Sequence, residues 1–307
     1  MERSKKITVV VASDEHYLPM LATLIKSIEA NLSRSSLLDL WIIGDRITTK
    51  NKLRIENSVN HEISVLHWKD ADKIIPSGME LPLDKSSFPL SIYLWYFIPF
   101  FIPTEIEKVI YLDVDMLNYR DLTELWDTDL GNKIAGAVVD PRIRTFECDW
   151  GGILNYQELG FTGSYKYFNS GVMLINTHKW MKNHITEKAL VYVEDNYNSA
   201  VYPEQYGLNL ALANNWIELN PLWNYFATTS HKAPYNVHFV DRKPIYITYK
   251  NNPVYLQQFQ FYLLQTDWAD FKPIGELKRY MKKINNVIEK KIKRITRKFS
   301  TKKKQSL

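Results

Sequence analysis

The first 113 residues alternate short apolar runs with amphipathic or polar stretches. Residues 20–31 repeat apolar side chains every three or four positions, and the polar stretch 49–59 is also helix-like. Between these predicted helices, apolar runs rich in β-branched residues predict strands at 7–12, 38–44, 63–68 and 108–113. Strands with nearly continuous apolar cores, separated by helices, predict an α/β fold whose mostly parallel sheet is covered on both faces.

The second half of the chain is less regular. Strands are predicted at 133–140 and 171–176, with a long irregular aromatic stretch between them. Residues 177–196 predict one helix with Thr177 as its N-cap, and residues 203–214 predict another that has proline in its first turn. No internal repeat or low-complexity linker interrupts this pattern before the tail.

Residues 86–104 carry no charged side chain and are about as long as a membrane span. Pro89, Pro99 and Pro103 interrupt the segment, which also lies within the alternating pattern of strands and helices. No second span accompanies it. We therefore expect a buried core helix rather than a transmembrane helix.

Charge is distributed unevenly along the chain. Residues 275–307 contain 13 Lys or Arg and 2 Glu, a net charge of +11, so residues 1–274 carry −6 of the overall +5. The body is acidic and the tail strongly basic. Apolar residues recur in this tail at helical spacing, which predicts a basic amphipathic helix: Leu277, Tyr280, Met281, Ile284, Val287, Ile288, Ile292, Ile295 and Phe299.

The tail has two candidate partners. Its apolar stripe can enter an anionic membrane surface, or it can pack on the body of the protein. We expect the membrane, because the charge is denser than solubility requires. Eight cations would then meet lipid head groups: Lys282, Lys283, Lys290, Lys291, Lys293, Arg294, Arg297 and Lys298. Nucleic acid is not an expected partner, since the body is acidic and no recognition motif is present.

Cysteine content bears on the compartment. Cys148 is the single cysteine, so the chain cannot close an intramolecular disulfide or build a thiolate metal site. This is typical of a reducing compartment. We therefore expect a cytoplasmic protein, peripheral on the inner face of the cell membrane.

The tripeptide Asp113-Val114-Asp115 directly follows the apolar run 109–112. Side chains at i and i+2 of an extended chain point to the same side, and ligands usually bind at the carboxyl edge of parallel strands. Two carboxylates that converge there repel each other unless they share a cation, for which a hard divalent ion is suited. A turn or capping role is the alternative.

Other polar residues lie at the ends of predicted elements. Asp14 follows the first strand and is either a helix cap or part of a nucleotide site, where Tyr17 offers a flat face to a base. Asp140 ends a strand in the same way, and a turn role fits it equally. His238 is a core histidine unless the two aspartates share a metal with it. Three further polar residues attract no notice singly: Asn169, Glu204 and Gln205.

The chain resembles family 8 of the glycosyltransferases in an ordered set of segments: VVASDEHY, KVIYLDVDMLNYRDLTELWDTDLG, AVVDP, YFNSGVMLINTHKW, PEQYGLN and VHFVDRKP. The likeness runs from about Ile7 to Pro244. It is closest to bacterial enzymes that add galactose or glucose to lipopolysaccharide-type glycans, with glycogenins more distant. It implies a GT-A-like nucleotide-diphospho-sugar transferase domain, a UDP-hexose donor, Mn²⁺ (or Mg²⁺) and retention of anomeric configuration. The implied acceptor is a glycan or a lipid-linked saccharide.

The resemblance also implies roles for single residues. The metal ligands would be Asp113, Asp115 and His238. Uridine would lie against Ala12, Asp14 and Tyr17. The donor sugar would meet Asp140, Asn169 and Glu204, with the Gln205 amide near the reacting carbon and Lys243 at the diphosphate.

Three positions depart from the family pattern. Trp95 stands where the family usually has an arginine, and the closing motif HFVDRKPI lacks a glycine and is one residue shorter. Glu204 stands where bacterial relatives often have Asp. The first two departures weaken the diphosphate clamp, and the candidates to replace the missing charge are Arg142, Arg144 and Arg242.

The predicted organisation has three parts: a catalytic domain over 1–250, a connecting segment over 251–274 and the basic amphipathic tail over 275–307. A retaining UDP-hexose-dependent hexosyltransferase is the predicted function. A degenerate protein that binds UDP-sugar without transferring it is the alternative.

Overall fold

A computed structural model describes the backbone of residues 5–229 and 233–305 and the side chains of 5–229 and 233–297. Lys298 and Phe299, which belong to the predicted tail, lie outside the described side chains. Residues 306–307 of that tail lie outside the described backbone.

The described chain forms two sheets. The strands are β1 Lys5–Asp14, β2 Ser36–Asp45, β3 Ser64–Asp70, β4 Lys108–Leu112, β5 Met116–Asn118, β6 Ala135–Val139, β7 Phe168–Asn176, β8 Trp216–Glu218, β9 Tyr225–Phe226 and β10 Asn236–His238. The large sheet has the order β3-β2-β1-β4-β7-β6-β8, and the small one β5-β10-β9. In the large sheet only β7 runs antiparallel to its neighbours, so the predicted α/β fold with a mostly parallel sheet is confirmed.

Helices cover both faces of the large sheet. The α-helices are α1 Leu18–Asn31, α2 Thr49–Ser58, α3 Ala71–Ile74, α4 Ile98–Phe101, α5 Leu122–Trp126, α6 Thr177–Lys182, α7 Ile185–Asp195, α8 Pro203–Ala211, α9 Pro253–Leu263 and α10 Glu276–Gln305. Short 3-10 helices lie at Glu15–Tyr17, Leu90–Phe97 and Pro221–Asn224.

The predicted helix over 177–196 is two helices in the structure. α6 and α7 are separated at His184, whose φ of 53° lies in the left-handed region. The N-cap of α6 is Asn176, whose side chain accepts a hydrogen bond from the Lys179 amide at 2.8 Å. Thr177 is not the cap, because its hydroxyl donates instead to the Ile106 carbonyl at 2.7 Å.

The uncharged segment 86–104 is part of the core. It forms the 3-10 helix Leu90–Phe97 followed by α4, and Tyr93, Trp95 and Phe97 are buried within it. Across the described residues, the chain has no helix with the length and apolar character needed to cross a bilayer. The opposite face of the sheet packs on α1 and α9, and residues 251–274 contribute Phe259 and Trp268 to that core.

The tail helix α10 lies on the body with its polar face inward. Seven residues of its apolar stripe are exposed, from 47% at Ile288 to 76% at Leu277, and Val287 is half-buried. The alternative in which the stripe packs on the body is therefore wrong for these seven side chains. The expectation that every tail cation meets lipid is also wrong, because four of them bond to the body: Lys282, Lys290, Arg294 and Arg297.

Candidate functional site

A cavity of about 300 Å³ opens at the carboxyl edge of the large sheet. Its walls come from the carboxyl ends of β1 and β4, the start of the antiparallel strand β7, the start of α8 and the segment after β10. Every site residue predicted from the sequence lines this cavity: Ala12, Asp14, Tyr17, Asp113, Asp115, Asp140, Asn169, Glu204, Gln205, His238 and Lys243. The structure therefore gathers residues that are up to 231 positions apart, from 12 to 243, around one space.

Asp113, Asp115 and His238 form a cluster at the end of β4. Their ligand atoms all lie within 4.8 Å of one another. His238 Nε2 is 3.2 Å from Asp115 Oδ1 and 3.6 Å from Asp113 Oδ2. The cluster forms because β10 pairs with β5 and places His238 opposite Met116, the residue after Asp115. Two carboxylates and one imidazole in this arrangement fit a divalent metal ion.

The two carboxylates have opposite pKa shifts. Burial and the charge of Asp115 raise the pKa of Asp113. Burial would also raise the pKa of Asp115, but Lys243 and His238 more than offset it and hold that pKa below its ordinary value. Lys243 forms an ion pair with Asp115 Oδ2. The Lys243 ammonium thus already compensates the negative charge of Asp115 at the position where the sequence predicts a metal.

A bulge in β7 and one glycine bring the neighbouring side chains into place. The pairing of β6 with β7 shifts between Ala137 and Val138, so residues 170–172 of β7 have no partner in β6. A Cβ on Gly171 would lie only 2.6 Å from His238 Cε1, so this position leaves room for the imidazole. Behind it, Asn224 Oδ1 lies 2.9 Å from His238 Nδ1 and holds the ring.

Another part of the wall carries the residues assigned to the donor sugar. Asn169 Nδ2 donates to Asp140 Oδ2 at 3.2 Å, and Asp140 Oδ1 also accepts the backbone amide of Arg142 at 2.8 Å. Asp140 therefore has the turn role as well as a place in the cavity wall. On α8, Gln205 Oε1 accepts the Ser170 amide at 3.2 Å, and Glu204 Oε2 accepts the Ser170 hydroxyl at 2.9 Å.

Glu204 is a carboxylic acid in a strongly perturbed setting. Burial and then the charge of Asp113 raise the pKa of Glu204 well above its ordinary value. Its Oε1 has no hydrogen-bond partner among the described residues. The carboxyl group of Glu204 therefore holds its proton more firmly than an ordinary glutamic acid does.

Asp14 at the end of β1 and Tyr17 in the 3-10 helix that follows also line the cavity. Asp14 Oδ1 accepts the backbone amides of His16 at 3.0 Å and Tyr17 at 3.2 Å, so it is a helix cap as well as a cavity residue. His16 Nε2 lies 2.8 Å from the Tyr246 hydroxyl. Burial and then Lys282 lower the pKa of His16 to about 4, so this imidazole is neutral at physiological pH.

The candidates for the missing cation have different surroundings. Arg142 lines the cavity and forms a two-point ion pair with Asp241, at 2.9 and 2.7 Å. Arg242 lies 3.6 Å from Glu276, at the start of α10. Arg144 is not among the cavity-lining residues. Of these three candidates, Arg142 is therefore the one that lines the cavity.

Sequence reasoning missed two residues that connect the site residues, and of these Ser170 lines the cavity whereas Asn224 does not. Ser170 joins Gln205 to Glu204, and Asn224 joins His238 to Asn169, whose Oδ1 accepts the Asn224 amide at 2.8 Å. The position of Ser170 beside Asn169 in the FNSG segment was the available signal. No signal in the sequence marks Asn224, because it follows an irregular segment and reaches the site only through the tertiary fold.

Comparisons with known proteins cover the part of the chain that contains these site residues. The family model described as "Glycosyl transferase family 8" matches residues 8–252. This chain belongs to glycosyl transferase family 8. The family 8 chain is 28% identical over 227 residues to "General stress protein A" of Bacillus subtilis, covering 73% of the chain and 75% of that protein. It is 29% identical to a "Putative glycosyltransferase" of Haemophilus influenzae, covering 67% of the chain and 59% of that protein.

The fold of this transferase is also that of solved relatives. It matches a crystal structure of the galactosyltransferase LgtC in complex with donor and acceptor sugar analogues, with a TM-score of 0.68 and 21% identity. The match covers 89% of this chain and 99% of that one. The protein is thus a glycosyltransferase with a GT-A-like fold, and its Asp113–Asp115–His238 cluster fits a divalent metal and a nucleotide-sugar donor.

Proposed function

We propose that this family 8 protein is a retaining transferase that moves galactose or glucose from a UDP-hexose to a hydroxyl of a cell-surface glycan or lipopolysaccharide-type acceptor. The observation that supports it most is the convergence of Asp113, Asp115 and His238 at one edge of a cavity whose other walls carry Tyr17 and Gln205. The residues proposed for metal, base and sugar then all line one space.

The ligand set favours Mn²⁺. Carboxylate oxygens suit hard ions such as Mg²⁺ and Mn²⁺, whereas an imidazole nitrogen suits a transition metal, and Mn²⁺ satisfies both. When bound, the ion would act as a Lewis acid and stabilise the negative charge that develops on the diphosphate leaving group. Asp113 and Asp115 would hold it, and Lys243, released from Asp115, would add a positive charge at the diphosphate.

The sugar side of the site determines the stereochemistry. The transition state of sugar transfer has oxocarbenium character, so charge develops near the anomeric carbon. Gln205 is neutral and a poor nucleophile, and its carbonyl oxygen is occupied by the Ser170 amide. We propose that the acceptor hydroxyl enters on the face from which UDP departs, with Asp140, Asn169 and Glu204 orienting the donor sugar. Trapping of a glycosyl-enzyme adduct on Asp140 or Glu204 would contradict this mechanism.

The test is UDP release from UDP-glucose, UDP-galactose and their N-acetyl forms, with Mn²⁺ and with EDTA. Asp113→Asn and Asp115→Asn each remove a charged ligand, so both are expected to abolish turnover and keep the circular dichroism spectrum of the wild type. Full activity in both variants, or in EDTA, would refute the metal assignment.

One observation favours the alternative of a protein that binds UDP-sugar without reaction. Trp95 replaces the family arginine, and its indole is buried in the cavity wall. Such a protein would bind UDP-hexose in the presence of Mn²⁺ and release no UDP with any acceptor. The same UDP-release assay therefore separates the two functions.

We also propose that the protein is cytoplasmic and lies on the inner face of the cell membrane through α10, close to a lipid-linked acceptor. The apolar stripe points away from the body, and exposed cations flank it at Lys278, Lys283 and Lys291. Each basic residue near an anionic leaflet contributes about 1 kcal/mol. Apolar contact and charge attraction would then act on the same helix face.

Sedimentation with vesicles tests this membrane contact. Ile284→Gln, Ile288→Gln and Ile292→Gln together remove the centre of the stripe and are expected to abolish binding to phosphatidylglycerol vesicles. The matched control replaces two exposed apolar residues, Phe261→Gln in α9 and Leu264→Gln directly after it, and should bind as the wild type does. Unchanged sedimentation of the triple variant would refute the proposal.

A further inference from the structure

The inward face of α10 is a row of polar side chains at helical spacing. The row consists of Glu276, Arg279, Lys282, Asn286, Lys290, Arg294 and Arg297, and all but Arg279 bond to groups of the body. Residues three or four positions apart lie on one side of a helix. The helix is therefore attached by ion pairs and hydrogen bonds, and one of its partners, Asp14, lines the donor cavity.

The first attachment is at the closing segment. Glu276 Oε1 accepts the Thr248 hydroxyl at 2.6 Å and lies 3.6 Å from Arg242 Nη1. Arg242 and Thr248 lie on either side of Lys243 in the chain, and Lys243 lines the cavity. The start of α10 is thus joined to the segment that carries the proposed diphosphate lysine.

The second attachment is at the Asp14–Tyr17 end of the cavity. The Lys282 ammonium bonds to Asp14 Oδ2 and lies 5.2 Å from the centre of the Tyr17 ring, within cation–π range. Asp14 Oδ1 is already held by the backbone amides of His16 and Tyr17. The Asp14 carboxylate is therefore held from two sides, and Lys282 is the side-chain partner that comes from the tail.

The third attachment is at the loop that precedes the 3-10 helix Leu90–Phe97. Lys290 is buried, and its ammonium lies 2.8 and 2.9 Å from the two oxygens of Asp84. Asn286 Nδ2 donates to the Ser87 carbonyl at 3.0 Å. Residues 88–89 follow at once and line the cavity. The helix thus also holds the loop at the cavity mouth.

We propose that α10 is part of the donor site, and that Lys282 is a positioning residue that orients Asp14 and Tyr17 for the uracil base of the nucleotide. Lys282 is not among the cavity-lining residues, so it acts through these two side chains and not by contact with the nucleotide. The inference rests on the proposed function, which takes Asp14 and Tyr17 as the base-binding end. It gives the tail a role in donor affinity that is separate from its outward-facing stripe.

The experiment measures UDP binding by isothermal titration calorimetry with Mn²⁺, in the wild type, Lys282→Met and Lys283→Met. The two variants remove the same charge from adjacent positions, and Lys283 is exposed on α10. We expect Lys282→Met to weaken UDP binding about tenfold, the effect of losing one charge-assisted hydrogen bond, and Lys283→Met to change it less than about twofold. Lys282→Arg keeps the cation and should recover most of the affinity.

Uridine is the second probe, because it has the base but no phosphate. If Lys282 positions the base-binding residues, Lys282→Met weakens uridine and UDP by the same factor. A loss confined to UDP would overturn the proposal and show direct attraction between Lys282 and phosphate. Equal UDP affinity of the two methionine variants would overturn it as well. A wild type that does not bind UDP at all would refute the donor assignment itself, and this inference with it.

Discussion

The indole of Trp95 stacks on the phenol ring of Tyr111, with 4.1 Å between the ring centroids and 10° between the planes. The Tyr111 hydroxyl in turn donates a hydrogen bond to Asp113 Oδ1 at 2.7 Å. Trp95 therefore supports a proposed metal ligand through one intermediate side chain. Where the family pattern has a cation, this cavity has an aromatic wall.

The stack predicts that arginine cannot simply be restored at position 95. Trp95→Arg would bury a guanidinium among Tyr96, Tyr111 and Trp180, so we expect a loss of about 3 kcal/mol or more in the free energy of unfolding. Urea denaturation measures it, with Trp95→Phe as the control that keeps an aromatic ring and should cost less. A Trp95→Arg protein as stable as the wild type, with tighter UDP-sugar binding, would contradict this prediction.

The close approach of His238 to Gly171 allows a steric test of the metal site. Substitution of Gly171 by alanine would place a Cβ 2.6 Å from His238 Cε1 and 2.8 Å from Nδ1, so the imidazole must move. We expect Gly171→Ala to weaken Mn²⁺ binding at least about tenfold, as displaced supporting groups do at metal sites. Gly275→Ala is the control, because its Cβ would meet nothing within 4 Å. Titration of Mn²⁺ followed by electron paramagnetic resonance would detect the difference, and equal affinity in both variants would exclude a role for His238.

The raised pKa of Glu204 predicts that the stability of the folded protein depends on pH. The folded state holds a proton on this group above the ordinary pKa of 4.5, because burial and Asp113 raise its pKa. The unfolded chain loses that proton near 4.5, so stability is full below this pH and falls as the pH rises toward the folded pKa. Glu204→Gln cannot ionise and is expected to raise the melting temperature by about 2 °C or more at pH 8, with little change at pH 4.

Thermal scans without metal at the two pH values test the effect of Glu204→Gln. Glu105→Gln is the matched control, since Glu105 is exposed and should show no change at either pH. The same shift at pH 4 and pH 8 in Glu204→Gln would mean that packing, rather than ionisation, causes it.

The Asp84–Lys290 pair predicts how firmly α10 is attached. Asp84 is buried and also accepts the Tyr93 hydroxyl at 2.9 Å. Removal of one partner leaves a buried charge without compensation, so Lys290→Met is expected to cost about 3 kcal/mol in the free energy of unfolding. Adding Asp84→Asn removes the orphaned charge and should recover part of this loss. A double-mutant cycle by urea denaturation measures the coupling, and a coupling energy near zero would contradict the pair seen in the structure.

Much of the fold and part of the site could be predicted from the sequence by itself, because both depend on local patterns. Apolar runs located six of the seven strands of the large sheet, all but β8, and Asp113 and Asp115 followed from their place at a strand end. The remaining site residues came from the family resemblance. The periodicity of the tail likewise predicted α10 as an amphipathic helix.

Only the tertiary structure decided which surfaces meet. The tail has two periodic faces, one apolar and one polar, and the polar face binds the body because Asp14 and Asp84 offer carboxylates at the right separation. The N-cap of α6 is decided in the same way, because the Ile106 carbonyl takes the Thr177 hydroxyl and leaves the cap to Asn176. Contacts between residues far apart in the chain produce no periodic pattern in the sequence. Such contacts can therefore be recognised only once the fold has brought the partners together.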